Sequence, residues 1–458
     1  MRIRVDSIGC RLNISEIEEM ARQFVRLGHR LVGPGEVADL YVFNTCAVTH
    51  AAARKSRQVI RQMRRANSGA KVVVTGCYAE LEPQAIETLG VDMVVGNAQK
   101  DQLPHLLAEA GWLTAADPVP DIDAPSFIDL NPFPPMGGTE GGGSNAQTHT
   151  RAFVKVQDGC DNRCTFCIVT VARGTGRSRP LGDVISEINR LTKAGYQEAV
   201  LSGVHLGSYG HDVGDKQGLK KLVQAILTET NLPRLRLSSL EPWDLGEDFF
   251  ELWQNERLLP HLHLPIQSGC DATLRRMARH TNQTQFSKLV EAAHAAIPDL
   301  AITTDIIIGF PGETEAEFAE SLAFIEQMAF AKLHIFRYSR REGTMAAKMP
   351  GQVSPPVAQA RSRQMHMLNA DLERNFRQKF IGRTMPVLWE SSEPFRFGRQ
   401  WSGLTANYLR VVTPTGPDVD LRNQITETKL VDLAPAALVG ELPFSNALPP
   451  QISLIAAS

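Results

Sequence analysis

The 458-residue sequence contains no apolar run near the roughly 20 residues that a membrane-crossing helix requires, and no secretory-type apolar stretch follows Met1-Arg2-Ile3-Arg4. No helical membrane span and no cleaved leader are therefore expected. Charge of either sign is not in excess: 48 lysines and arginines stand against 50 aspartates and glutamates, a net −2. Any polyanion-binding surface must then be a local patch. Cysteine is scarce, with seven residues, most of them widely separated. An odd, dispersed set does not suit a disulfide framework, so the expectation is a soluble protein of the reducing cytoplasm. The chain does have length for two to four domains, and its 43% hydrophobic content suffices for real cores.

The most informative shortage lies in Gln157-Asp158-Gly159-Cys160-Asp161-Asn162-Arg163-Cys164-Thr165-Phe166-Cys167, a C-x3-C-x2-C run with no fourth cysteine nearby. Structural zinc takes four ligands in compact pairs. An iron–sulfur cubane fixed by only three thiolates leaves one iron open to a ligand. The run resembles the cluster loop of the radical S-adenosylmethionine (SAM) superfamily, in which the open iron chelates the amino and carboxylate groups of SAM.

Before this loop, three β-type runs each finish on a cysteine: Arg2 to Gly9 before Cys10, Asp39 to Thr45 before Cys46, and Lys71 to Gly76 before Cys77. Helical patterns at Ser15 to Leu27 and Ala51 to Ala66 separate them, so a parallel, Rossmann-like open sheet is expected. A cysteine at a strand end is ordinarily a small buried side chain. Three at the carboxyl edge of one sheet, where α/β folds bind ligands, argue for a second three-thiolate cluster on Cys10, Cys46 and Cys77. Within the second helical pattern, Arg54, Arg57, Arg61 and Arg65 share one stripe opposite Ala52, Val59, Ile60 and Met63. No acid interrupts the stripe. Beside a proposed cluster it reads as a phosphate-contacting, RNA-binding surface. Val91 to Val95 and a helix from Gln99 to Ala110 complete an N-terminal domain over 1–112, and a Pro/Gly-rich linker follows over 113–148.

From 149 to 378 the pattern alternates strand and helix. Strands are expected at 152–156, 199–202, 234–238, 261–266, 301–308 and 332–336, with helices at 182–194, 219–228, 246–254, 272–296 and 315–328. This is the order of a partial (β/α)6 barrel, whose chemistry gathers at the carboxyl ends of the strands. Glycine and polar residues occupy those ends, giving Gly203, Ser239, Glu241, Gln267 and Gly309 as candidate cofactor contacts. Arg173, Arg177 and Arg179 trail the cluster loop without an acid among them. Their guanidinium groups suit a carboxylate or phosphate, and Arg177 and Arg179 join the candidates for holding SAM. Cys270 is left as a spare thiol. A long charged helix, Val357 to Phe380, leads into short β-type runs at 385–390, 401–403, 408–412 and 426–433. These predict a small all-β, OB-like barrel over 379–443, followed by a tail at 444–458. Arg396, Arg399, Arg410, Trp401 and Tyr408 are candidates for an RNA face on it, although aromatics in so small a barrel commonly fill its core.

Taken whole, the chain resembles the methylthiotransferase branch of the radical SAM superfamily, which joins a three-cysteine N-terminal domain, a radical SAM barrel and a TRAM barrel. The motifs are Gly9-Cys10-Arg11-Leu12-Asn13, Asn44-Thr45-Cys46-Ala47-Val48-Thr49, Thr75-Gly76-Cys77, the cysteine loop, His263-Leu264-Pro265-Ile266-Gln267-Ser268-Gly269 and Ser402-Gly403-Leu404-Thr405-Ala406-Asn407-Tyr408. The first two are most similar to the MtaB subgroup, which modifies N6-threonylcarbamoyladenosine at position 37 of tRNA. Thr170-Val171 and Cys270 depart from the family's usual proline-tyrosine and serine. The resemblance implies a transferase of the EC 2.8.4 type with two 4Fe-4S clusters and SAM. One cluster, on Cys160, Cys164 and Cys167, would generate the 5′-deoxyadenosyl radical, with no side chain as a certain catalytic residue. The other would supply sulfur that a further SAM methylates. The implied partners are a tRNA anticodon stem-loop, an electron donor such as flavodoxin or ferredoxin, and a sulfur donor. The alternatives are the same chemistry on isopentenyladenosine-37 or on a ribosomal-protein aspartate, or, from another class, a non-catalytic zinc-bearing RNA-binding protein. Anaerobic metal analysis separates the classes: about eight irons per chain are expected for two cubanes, and zinc without iron would exclude the enzyme.

Overall fold

The computed structural model describes residues 1–33, 35–113 and 150–443. The expected tail at 444–458, and the expected linker from residue 114 onward, lie outside the described residues. The chain divides into two compact units, the first made of Met1–Gly195, Leu201–Leu219 and Ser339–Ala347, the second of Tyr196–Val200, Lys220–Tyr338 and Lys348–Ser458.

The first unit begins with β1 (Arg2–Ser7), α1 (Arg11–Arg26), β2 (Arg30–Leu31), β3 (Leu40–Thr45), α2 (His50–Ala66), β4 (Lys71–Gly76), α3 (Cys77–Leu81), α4 (Pro83–Glu87) and β5 (Met93–Val94). The five strands form one parallel sheet in the order β2-β1-β3-β4-β5. Both faces are covered, which explains the continuous apolar runs of β3 and β4. Leu40 and Val42 pack with Ile17, Met20 and Phe24 of α1 on one face. Tyr41 and Phe43 pack with Val59, Ile60 and Met63 of α2 on the other, the period-two alternation of a strand. Thr49 caps α2 by accepting the Ala52 N–H at 3.1 Å. The apolar face of α2 is turned one residue from the expected one: Ala53 and Ser56 are buried and Ala52 only half-buried. The helix expected over 99–110 is a 3-10 turn, Lys100–Gln102, followed by α5 (Leu103–Glu109). Pro104 explains the restart, since proline is accommodated only in a helix's first turn.

All six strands of the expected alternation are present, at Arg151–Lys155, Glu198–Ser202, Arg234–Leu237, His261–His263, Ala301–Ile308 and Lys332–Arg337. In the second unit the last three form a parallel sheet with Ala301–Ile308 in the middle. Two expected helices differ. The 246–254 segment is a 3-10 helix, Glu247–Gln254. The 272–296 segment breaks into Asp271–Arg276 and Gln283–Ala296. Ala278 takes a left-handed φ of 55° at the break, and Asn282 starts a new helix by accepting the Gln285 N–H at 2.9 Å. The Glu315–Met328 helix carries a Thr314/Glu317 capping box.

After the helix Pro355–Gln378, a closed five-stranded barrel forms from Thr384–Phe395, Gly398–Thr405, Arg410–Thr415, Ala437–Glu441 and Ile425–Ala434, in that order around the barrel. The strand Ala437–Glu441 escaped the sequence reading because its five residues lack alternation. Trp401 is buried among Val387, Trp389, Val411 and Leu430, and its indole N–H donates to the Val419 carbonyl at 3.2 Å. It fills the core instead of facing RNA. Tyr408 is likewise committed, stacked on His261 with ring centroids 4.6 Å apart and covered by the Arg236 guanidinium.

Candidate metal centre

Three elements of the sheet deliver Cys10, Cys46 and Cys77 to one edge. β1, β3 and β4 are adjacent and parallel, with Ser7 paired to Asn44 and Thr45 to Gly76, so their carboxyl ends are level. Cys10 caps α1, Cys46 follows β3 and Cys77 opens α3. Glycine precedes two of them for a steric reason. A Cβ on Gly9, at φ 130°, would lie 2.7 Å from the Cβ of Cys46, and one on Gly76, at φ 94°, would lie 2.3 Å from Asn44 Oδ1. All three thiols are free. The Val48 N–H donates to Cys46 Sγ at 3.5 Å, Asn97 Nδ2 lies 4.0 Å from Cys77 Sγ, and the Cys10 thiol donates to Asn13 Oδ1 at 3.6 Å. Burial pushes the Cys46 thiol up to about 12, and the neighbouring sulfurs of Cys10 and Cys77 add to this while the Val48 N–H and Arg173 oppose it. That mutual influence places the three sulfurs in one electrostatic neighbourhood.

The second trio sits on the loop after Arg151–Lys155. Gly159 adopts φ 74°, and a Cβ there would meet the Thr175 carbonyl oxygen at 1.9 Å. Cys160 N–H donates to the Gly174 carbonyl at 3.0 Å and Cys167 N–H to that of Cys164 at 3.0 Å. Amides two residues on point back at two of the sulfurs, Asn162 N–H to Cys160 Sγ and Val169 N–H to Cys167 Sγ, both at 3.4 Å. The same arrangement recurs at Cys46 with Val48. Gln157 braces the loop, donating to the carbonyls of Asp158 and Gly159 and accepting the His205 N–H at 2.9 Å.

A buried ionic network joins the two trios within this unit. Arg173, at the end of the helix Val169–Arg173 that follows Cys167, pairs with Glu16 at 2.8 Å and Asp158 at 2.9 Å, and donates to Asn13 Oδ1 at 3.0 Å. Asn13 in turn donates to the carbonyls of Ile8 and Thr45, at the ends of the strands that carry Cys10 and Cys46. Lys100 reaches Glu16 at 2.5 Å, and Asn97 donates to the Ala172 carbonyl at 2.6 Å. Burial alone would raise the Glu16 carboxyl. Arg173, Lys100 and Lys155 outweigh it and hold that carboxyl well below the usual range.

Among the described residues, no three His, Cys, Asp or Glu side chains converge on the position of a single metal ion. A cubane distributes its thiolates over separate irons and has no such requirement. Soft sulfur donors, amides aimed at Cys46, Cys160 and Cys167 and a buried guanidinium acting on Cys10, Cys46 and Cys77 suit an anionic thiolate-bound cluster.

The other predicted residues are placed as follows. In the first unit Arg177 is exposed, 4.0 Å from Asp158, whereas Arg179 is taken up by Glu187 at 2.6 Å and the Lys155 carbonyl at 2.8 Å. Arg179 is thus a structural ion-pair member instead of an open carboxylate receptor. A Cβ on Gly203 would crowd Gln157 Oε1 at 3.0 Å. In the second unit Ser239 bridges to His263, Glu241 is held by Arg279 at 3.0 Å, Gln267 is buried with φ 76°, and Gly309 donates to Glu313 at 3.1 Å. On α2, Arg54, Arg61 and Arg65 are exposed, while Arg57 donates to the Tyr78 hydroxyl at 2.7 Å. The structural weight of Arg173 was missed. Its only sequence signal is its place at the start of the acid-free run Arg173–Arg179, and Glu16 lies 157 residues away.

Residues 154–325 match the radical SAM superfamily, and residues 2–96 match a family described as uncharacterized protein family UPF0004. In fold the chain is similar to the radical SAM methyltransferase TsrM from Kitasatospora setae, with a TM-score of 0.54 at 14% identity, covering 75% of this chain and 76% of that one. Fold and cysteine loop together define a radical SAM protein. The threonylcarbamoyladenosine tRNA methylthiotransferase MtaB of Bacillus subtilis (strain 168) is 35% identical over 421 residues, 89% of each chain. MtaB of Thermotoga maritima is 36% identical over 390 residues, 85% of this chain and 86% of its own. The tRNA-2-methylthio-N(6)-dimethylallyladenosine synthase of Maricaulis maris is 32% identical over 457 residues, covering 96% and 97%. The chain belongs to the radical SAM methylthiotransferase family and is a transferase.

Replacing Arg173 with methionine removes the main partner of two buried carboxylates. It is expected to cost about 3 kcal/mol of stability, read by chemical denaturation of the metal-free protein. Arg173→Lys should recover part of that loss.

Proposed function

We propose that the protein transfers a methylthio group to C2 of N6-threonylcarbamoyladenosine at position 37 of tRNA. The observation that carries this reading is the pair of three-thiol sites tied by one buried network, in a chain 35% and 36% identical to two MtaB proteins over most of its length. Cys160, Cys164 and Cys167 would hold one 4Fe-4S cluster and Cys10, Cys46 and Cys77 the other. With SAM these groups supply radical and sulfur-transfer chemistry, which no side-chain base provides at an unactivated C–H bond. The chain's own part is to seat both, through Gly9, Gly76 and Gly159, to aim amides at the sulfurs, and to bind the RNA.

For SAM, the open guanidinium of Arg177, the backbone at Gly203 and Gly309, and the side chains of Ser239 and Gln267 remain the proposed contacts. Glu241 is proposed as an orienting carboxylate with Arg279 as its partner. For the anticodon stem-loop, the proposed surface is Arg54, Arg61 and Arg65 on α2, with Arg57 tethered to Tyr78. An external electron donor of the flavodoxin or ferredoxin class, a sulfur donor and a cytoplasmic location are part of the same proposal. Among the described residues no helix is long and apolar enough to cross a membrane.

The modification profile of tRNA tests the substrate. In a deletion strain, mass spectrometry should show loss of the methylthio group from threonylcarbamoyladenosine. Loss from isopentenyladenosine, or from the ribosomal-protein aspartate, would overturn the assignment. Neutralising Arg54, Arg57 and Arg61 together should weaken RNA binding and reduce its salt slope by about two to three. Arg57 contributes least because its guanidinium already has a partner, and an unchanged slope would remove α2 from the RNA surface.

A further inference from the structure

Arg341 lies in the Ser339–Ala347 segment that belongs to the first unit, and only 8% of it is exposed. Its Nε donates to the Val48 carbonyl at 3.3 Å, and its Nη1 faces His50 Nδ1 at 3.5 Å. His50 Nε2 is 2.9 Å from the Arg340 carbonyl. A carbonyl only accepts, so Nε2 carries the proton, and in the neutral ring Nδ1 is left to accept from Arg341. The third donor group, Nη2, is buried with no hydrogen-bond partner. Among the described residues no carboxylate lies within ion-pair distance of this guanidinium. Every other deeply buried cation of the unit, Arg173 and Lys100 included, has one.

A buried cation without a counter-charge is strongly disfavoured, so an anion is expected beside it. The group whose negative charge acts on it most is Cys46, with Glu82 second. The link is also geometric. Val48 donates its N–H to Cys46 Sγ and accepts from Arg341 through its carbonyl, so one residue is held between the sulfur and the guanidinium.

We propose that Arg341 is a positioning residue for a cluster on Cys10, Cys46 and Cys77: it fixes the Val48 amide on Cys46 and supplies the cluster's buried counter-charge. This rests on the cluster reading above. A cubane on three thiolates is anionic and becomes more so on reduction, so a fixed cation beside it favours the reduced form and raises its potential.

The test is an EPR-monitored redox titration of the anaerobically reconstituted full chain carrying Cys160→Ala, Cys164→Ala and Cys167→Ala, so that a single cluster is read. Adding Arg341→Gln should lower the midpoint by about 60 mV, tenfold in the one-electron equilibrium, whereas Arg341→Lys, which keeps the charge, should stay near the parent value. A Gln variant that holds no iron while the Lys variant does also supports the proposal. Equal potentials in parent and Gln variant overturn it. So does loss of iron from both variants with the fold intact by circular dichroism, since lysine retains the charge. If the parent itself takes up no iron, the assignment of a cluster to Cys10, Cys46 and Cys77 falls, and the proposal falls with it.

Discussion

The first unit depends on a buried ion pair between Glu16 and Arg173, 157 residues apart in the chain. Glu16 is the better satisfied of the two carboxylates, with Arg173, Lys100 and Lys155 around it and the Asn44 amide donating to it. Arg173 comes from the loop that carries one cysteine trio, and Glu16 from the helix that starts at the first cysteine of the other. An arrangement of this kind contributes little net stability compared with apolar packing, because both charges must be desolvated. What it supplies is register. Neither trio can shift without leaving a charge unpaired in a low-dielectric interior.

Around that pair the local rules are simple. Parallel strands end level, so residues that follow them arrive at one edge. Glycine at positions 9, 76 and 159 is required where the backbone turns with positive φ and a side chain would strike its neighbour. The amide two residues past Cys46, Cys160 and Cys167 then falls on the sulfur. Three separate turns reach the same local geometry, which suits a thiolate more than a thiol, since an N–H donor favours the charged form.

The C-terminal barrel shows the opposite balance between pattern and packing. Trp401 and Tyr408 looked available for nucleic acid because both are aromatic and stand among arginines. The barrel interior takes the first, and His261 with Arg236 takes the second. Phe397, which carried no signal of its own, is 94% exposed, at the tip of the turn between Thr384–Phe395 and Gly398–Thr405. A residue type states what a side chain is able to do, and only the register of the strand states which way it faces.

Cysteine spacing, strand and helix order and the basic stripe of α2 were legible in the sequence because each is a local, periodic property of the chain. The strand at Ala437–Glu441 and the break at Ala278 were not, since neither departs from its surroundings over a window of ordinary length. The pairing of each charge was also out of reach. Arg173, Arg177 and Arg179 look alike in sequence, yet the first is an internal tie, the third is held by Glu187, and only the second stays open to solvent. The sequence by itself determined which atoms are available for chemistry and on which strand ends they stand. Tertiary structure alone decided which of them are already taken, because packing chooses each partner, whether it stands 8 residues away, as Glu187 does from Arg179, or 157, as Glu16 does from Arg173.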